Sequence, residues 1–181
     1  MEKKSSGKTN PMKKLIVTAD LHGSYSSWLT LKNLLGPLDE LVIAGDLFDT
    51  KYGNYTHIDF QPESIKKDLM DFNHMFFYVY GNCDSISFFP GYETFLEFSC
   101  FNKKFFVSHG HRFRQYSSNI DIIIQGHTHL CFLEKRDGQI FMNPGSITCP
   151  RNGIYTYGVI ENNCASLIEL KTGNKLVTIN L

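Results

Sequence analysis

The sequence predicts an α/β fold in which two β-sheets face each other with helices outside. Two observations predict it. The first half alternates apolar runs with amphipathic stretches in a βαβαβ order, the order of parallel strands joined by crossover helices. The second half holds closely spaced short strands separated by turn dipeptides, so it reads as largely antiparallel. Two sheets packed face to face, with helices over them, would bury all of these apolar faces. A third observation locates the chemistry: five of the expected strands end in Asp, Asn or His.

A chain of 181 residues suits one domain that buries roughly 70% of its unfolded surface. The formal net charge of +0 gives no electrostatic case for long nucleic acid or for an anionic membrane. No run approaches the ~20 apolar residues of a membrane span. Cys83, Cys100, Cys131, Cys149 and Cys164 are odd in number and lack paired spacing, which suggests reduced thiols and a cytoplasmic setting. Residues 1–11 are polar and lack the apolar core of a signal peptide. They read as a disordered N-terminal extension or tag, with 12–181 as the single domain.

Lys14 to Thr18 is the first strand, and it leads into Asp20-Leu21-His22. A helix follows from Ser26 or Ser27 to Leu35, capped by Ser, with Trp28, Leu31, Leu34 and Leu35 on one face and Gly36-Pro37 as its stop. Leu41 to Ala44 is the second strand, and it delivers Gly45-Asp46 to its tip. Residues 50–61 are a loop rich in aromatics, and Pro62 opens a helix to about Phe72 with Ile65, Leu69 and Phe72 as its buried stripe. Phe76 to Tyr80 is the third strand, ending in Gly81-Asn82-Cys83-Asp84. Glu93–Phe98 and Lys103–Ser108 form a hairpin that leads to His109-Gly110-His111. Ile120 to Gln125 ends in Gly126-His127-Thr128-His129. Leu130–Lys135 and Gln139–Asn143 flank the tight-turn pair Asp137-Gly138, and Tyr155–Glu161 and Ala165–Glu169 flank Asn162-Asn163. Lys175 to Asn180 is the last strand.

Side chains two apart on an extended segment share a side, so Asp20 with His22, His109 with His111, and His127 with His129 are each expected to converge. Glycines at 45, 81, 110 and 126 would permit a sharp exit from each strand. Carboxylate and imidazole ligands without thiolate suit Mn²⁺, Fe²⁺ or Zn²⁺. Seven candidate ligands exceed one ion's needs and suit two ions that share a bridge.

Asp-x-His, Gly-Asp, Gly-Asn, His-Gly-His and Gly-His-x-His, in this order, resemble the calcineurin-like metallophosphoesterases, and most nearly the small bacterial YfcE-type phosphodiesterases. Gly-Asn-Cys-Asp at 81–84 and Asn-Pro-Gly-Ser-Ile at 143–147, followed by Pro150, extend the resemblance from Lys13 to about Asn180. It implies a four-layer αββα sandwich of two mixed sheets flanked by helices, with two divalent ions at the strand tips. Mn²⁺ leads the candidate ions, with Fe, Zn, Ni or Mg as alternatives. One ion would take Asp20, His22 and His129, the other Asn82, His109 and His127, and Asp46 would bridge them. A bridging hydroxide would attack a small phosphodiester. Asp46, Asn82 and His111 would be catalytic, and Asn82, His111 and Arg151 would bind substrate. The resemblance also implies a homodimer or homotetramer. Many larger relatives carry at the position of Cys83 a His that protonates the leaving oxygen; here His111 is the best candidate for that task.

Blander readings stand beside these. His57 and His74 read as solvated. Asp49 and Asp84 read as turn caps or as groups that orient ligands. Arg112 and Arg114 join Arg151 as candidates to touch phosphate. Tyr52, Tyr55 and Phe60, like Phe88, Phe89 and Tyr92, read as loop packing or a subunit contact. The alternatives to a phosphodiesterase are a phosphomonoesterase, a nuclease, and a protein-binding scaffold on the same fold similar to the retromer subunit Vps29. The neutral charge and lack of an extra domain oppose the nuclease, and retention of all seven ligands opposes the scaffold.

Overall fold

The computed structural model describes residues 12–52 and 59–181. The expected N-terminal extension 1–11, and Tyr55 and His57, lie outside the described residues. In chain order the elements are β1 (Leu15–Thr18), α1 (Tyr25–Leu34), β2 (Glu40–Ile43), α2 (Pro62–Met70), β3 (Phe76–Tyr78), β4 (Phe95–Cys100), β5 (Lys103–Ser108), β6 (Ile122–Ile124), β7 (Phe132–Arg136), β8 (Gln139–Asn143), β9 (Thr156–Ile160), β10 (Cys164–Glu169) and β11 (Lys175–Asn180).

They form two mixed sheets, with strand orders β11-β10-β9-β1-β2-β3 and β4-β5-β6-β8-β7. β1, β2 and β3 are parallel, as expected from their crossover helices. The expectation of a parallel first sheet and a largely antiparallel second part is corrected in both halves. β9 pairs antiparallel with β1 and carries β10 and β11 into the first sheet. In the second sheet β5, β6 and β8 run parallel. Local turn chemistry predicts hairpins but carries no information on which sheet a hairpin joins, and this is where the reading failed.

Alternation distributes the side chains. Val17 and Val42 pack in one buried cluster with Phe105, Val107, Ile124 and Met142 of the other sheet. Ile16, Leu41, Ile43 and Tyr78 face the opposite way and pack with Trp28 and Leu31 of α1 and Ile65 and Leu69 of α2. Each of these fully buried side chains contributes about 1.5–3 kcal/mol relative to exposure. The outer face of the second sheet buries Phe106 and Ile123 beneath Tyr116 and Ile120. Those covering residues lie in a non-helical segment, so both described helices serve the first sheet.

Helix boundaries moved by local chemistry. Ser24, not Ser26 or Ser27, caps α1: it is extended, and its hydroxyl accepts from the Ser27 N–H at 3.3 Å. α2 stops at Met70, and Phe72 lies beyond it, packed 5.5 Å from the Trp28 ring. The expected Asp137-Gly138 turn is present with both residues left-handed, and Phe101-Asn102 makes the same kind of turn between β4 and β5.

The buried clusters of both sheets are large enough that folding is expected not to depend on an ion. The chain is expected to melt in a single cooperative transition in chelator, and at a higher temperature with added Mn²⁺ because the ion binds only the folded state. Calorimetry of the stripped protein tests this; an unfolded baseline at room temperature would refute it.

Candidate metal centre

The C-terminal ends of β1, β2, β3, β5 and β6 meet in one place. The chain after β1 is laced to the chain after β2 by Asp20 N–H to Gly45 O at 3.0 Å, His22 N–H to Asp46 O at 2.9 Å and Gly23 N–H to Leu47 O at 2.9 Å. Gly126 N–H donates to His109 O at 3.0 Å, which joins the tips of β6 and β5. Asp84 ties β3 to β2: its carboxylate accepts from Gly81 N–H at 3.0 Å and Phe48 N–H at 2.9 Å. Asp84 is thus the loop-binding group expected of it.

The premise that these segments are extended is corrected. Asp20, His22, Asp46, Asp49, His127 and His129 all have left-handed backbones, with φ between 49° and 69°. Asp and His tolerate this region better than most residues, at a cost of order 1 kcal/mol each. Alternation therefore imposes no common side on Asp20 and His22, which nonetheless meet in one group as expected, or on His127 and His129, which enter different groups. The glycines also differ in role. Gly45 and Gly110 turn with φ of 86° and 98°. Gly81 is glycine for lack of room, since a Cβ there would lie 1.9 Å from Asp46 Oδ1.

Among the described residues, three groups have ligand atoms within 4.8 Å of one another: Asp20, His22 and His129; Asp46, His109 and His127; and His22, Asp46 and Cys83. In the first, Nε2 of His22 and Nε2 of His129 are 3.1 Å apart, and His129 Nε2 is 3.5 Å from Asp20 Oδ1. In the second, His109 Nε2 is 3.0 Å from Asp46 Oδ2. Asp46 Oδ1 accepts from the Cys83 N–H at 2.8 Å.

The histidines are turned by what holds their far nitrogen. Nδ1 of His109 lies 2.8 Å from Ala44 O, and Nδ1 of His129 lies 2.8 Å from Cys149 O. Donation to a carbonyl fixes the tautomer that leaves Nε2 free for a metal. Nδ1 of His22 is 3.0 Å from Asp49 Oδ2, so Asp49 holds the ring of this candidate ligand. Beneath the site, Asn143 donates to Gly126 O at 2.7 Å and Ser146 to Asp20 O at 2.8 Å. The sequence reading missed the carbonyls of Ala44 and Cys149 and the bracing by Asn143 and Ser146. The Asn-Pro-Gly-Ser run was the available signal for the last two, while a carbonyl carries none.

Whether the residues fit divalent ions can be judged from their electrostatics and their missing partners. Burial pushes the Asp20 carboxyl up to about 7, with the Asp46 charge adding to it and His109 opposing. Asp46 is also buried, but the neighbouring His109 and the bond from the Cys83 N–H outweigh burial and hold it at about 2. Burial lowers the pKa of His127 and His129, with the charge of Arg151 adding to both shifts, and the Arg151 N–H donates to His129 O at 3.2 Å. His109 Nε2 and Asn82 Oδ1 are buried without a hydrogen-bond partner. Paired buried carboxylates, lone-pair nitrogens and an orphaned amide oxygen are donors that a cation would satisfy. The set fits.

His111 lies beside this set, its ring centroid 5.5 Å from that of His109 and 6.1 Å from that of His127. Burial and its cationic neighbours lower its pKa, and its Nδ1 lacks a partner. Arg114 is corrected as a phosphate candidate: it donates to Thr94 Oγ1 at 3.0 Å and stacks over Phe95. His74 is structural, its Nδ1 2.9 Å from Asp39 O. Phe88, Phe89 and Tyr92 are packing residues around Phe48 and Tyr78.

Comparison with known proteins gives concordant results. A family model described as the calcineurin-like phosphoesterase superfamily domain matches residues 12–163. The chain is 31% identical over 172 residues to the phosphodiesterase YfcE of Escherichia coli, covering 88% of this chain and 93% of that one. The solved structure of that E. coli phosphoesterase superposes with a TM-score of 0.79, 27% identity and coverage of 92% and 98%. A Mycoplasma genitalium protein named as a "probable metallophosphoesterase" is 32% identical over 157 residues, 78% of this chain and 81% of that one. Vacuolar protein sorting 29 of Cryptosporidium parvum shares the fold at 17% identity, with a TM-score of 0.66 over 93% of this chain and 97% of that one.

Proposed function

Because the chain belongs to the calcineurin-like phosphoesterase superfamily and is thus a metal-dependent phosphoesterase, we propose that it hydrolyses small phosphodiesters with two divalent ions seated at the strand tips. The observation that carries this reading is the pair of ligand groups, Asp20-His22-His129 and Asp46-His109-His127, with Asp46 also within 4.8 Å of a ligand atom of His22. Asn82 completes the second group through its unpartnered Oδ1. Ions held there would lower the pKa of a water and polarise the phosphoryl oxygens. Mn²⁺ is the proposed working ion, since the two groups offer oxygen and imidazole nitrogen.

The chain's own residues do the rest. Asp46, pinned by the Cys83 N–H, presents a fixed charge between the two seats. His111 and Arg151 offer donors to phosphate oxygens, and His111 is the group able to supply a proton to the departing oxygen. The thiol of Cys83 is a poor acid, because burial and the charges of Asp46 and Asp49 push its pKa well above the usual range. An alkyl monoester, nearly dianionic and with a poor leaving group, needs a strong general acid; an aryl diester does not. The enzyme therefore prefers diesters with activated leaving groups. A cytoplasmic homodimer or homotetramer is part of the proposal. A Vps29-like scaffold gains no support from a site that keeps every ligand.

The test is kcat/KM on an aryl diester, an aryl monoester and an alkyl monoester after metal removal and Mn²⁺ re-addition. Cys83→His is expected to raise the monoester to diester ratio, and His111→Ala to hurt the alkyl ester more than the aryl esters, each by about 10-fold or more, within the range general acid catalysis supplies. Equal rates on alkyl monoester and aryl diester, or an unchanged ratio in Cys83→His, would contradict the leaving-group argument.

A further inference from the structure

We propose that Cys83, His22 and Asp46 form a third, thiolate-containing seat that takes a thiophilic divalent ion such as Zn²⁺ or Cd²⁺ in competition with the ion at Asp20-His22-His129. The inference rests on the two-seat reading above and adds to it. Its geometric basis is that ligand atoms of these three residues lie within 4.8 Å of one another.

Three features make the seat more than a cysteine that happens to be nearby. The Cys83 main chain is fixed by its N–H bond to Asp46 Oδ1 at 2.8 Å, and Lys51 N–H donates to its carbonyl at 2.9 Å. Its sulfur accepts from Asn82 Nδ2 at 3.0 Å. That bond would strengthen on a thiolate, as hydrogen bonds to ionised acceptors do, and the other atom of the same amide, Asn82 Oδ1, is buried without a hydrogen-bond partner. Independently, His109 Nε2 is fully buried, unpartnered in hydrogen bonding and directed at Asp46, which marks this pocket as one built around a cation.

Competition follows from His22. Its Nδ1 is taken by Asp49 Oδ2, so one nitrogen, Nε2, is left for a metal. An ion bound with Cys83 and an ion bound with Asp20 and His129 cannot both have it. Ligand softness then sorts the ions. Mn²⁺ prefers the oxygen and nitrogen donors, whereas Zn²⁺ and Cd²⁺ gain from sulfur. On binding, the S–H proton passes to solvent as the metal–sulfur bond forms. The consequence is a site that Mn²⁺ activates and a thiophilic ion diverts.

The experiment uses the full chain, stripped and titrated with Co²⁺ and with Cd²⁺, with calorimetry for stoichiometry and ultraviolet absorption for sulfur-to-metal charge transfer. The wild type is expected to show the charge-transfer band. Cys83→Ser is expected to bind both ions without the band and to lose at least about 10-fold in Cd²⁺ affinity, a factor that corresponds to about 1.4 kcal/mol. Mn²⁺ affinity should be the same in both proteins within about twofold. Ion binding to the wild type without a sulfur band overturns the thiolate seat alone, as does a band that survives Cys83→Ser. Absence of any ion binding overturns both this seat and the reading on which it rests.

Discussion

Asp46→Asn is expected to lower kcat/KM by about 10³ or more, above the roughly 10–100-fold typical of losing a group behind a metal ligand. It is also expected to reduce bound metal at both seats. The change is nearly isosteric, so the Cys83 N–H can still donate to Oδ1 and the fold should survive. What disappears is the charge. Held at about 2, the Asp46 carboxyl is ionised throughout the working range. It is the one carboxylate common to the group containing His109 and the group containing Cys83 and His22. Metal analysis, melting in chelator and kinetics on an aryl diester separate the possibilities. An unchanged melt with two ions retained and near-normal turnover would remove Asp46 from the centre of the site.

Gly81→Ala, a change that replaces no ligand, is expected to be nearly as damaging. The new methyl would sit 1.9 Å from Asp46 Oδ1 and 2.3 Å from the Asp46 backbone nitrogen. Backbone cannot retreat as a flexible side chain can, so the carboxylate must turn away. A displacement of about 1 Å at a reacting centre can cost about 10²-fold in rate. Overpacking of this kind also destabilises by about 1–3 kcal/mol, which for a domain of this size lowers Tm by roughly 2–4 °C per kcal/mol. The joint signature is a lower Tm in chelator together with lost metal, where Asp46→Asn shows lost metal alone. Gly81→Ala with native metal content and turnover within about twofold of wild type would show that the loop after β3 can absorb the methyl.

The two variants mark where legibility in the sequence ends. Asp20, His22, Asp46, Asn82, His109, His127 and His129 could be named from the chain because each follows an apolar run, and a strand's hydrophobic pattern is local. The helices on Trp28 and Ile65 were legible for the same reason, since periodicity and proline chemistry act over a few residues. Which strands share a sheet was not. β9 joins β1 through pairings across more than a hundred residues, as between Leu15 and Ile160, and brings β10 and β11 into the sheet with it; no turn dipeptide encodes such a contact. Nor did the sequence reveal that the site residues would be left-handed, because that conformation is imposed by interlocking bonds such as His22 N–H to Asp46 O. The sequence by itself determined the kinds of ligand and the strand tip each one follows. Only the tertiary structure decided how closely those ligands approach, which groups turn the imidazoles of His22, His109 and His129, and that Cys83 sits within reach of His22 and Asp46. Those are distances between segments far apart along the chain, set by how two sheets pack rather than by any run of residues.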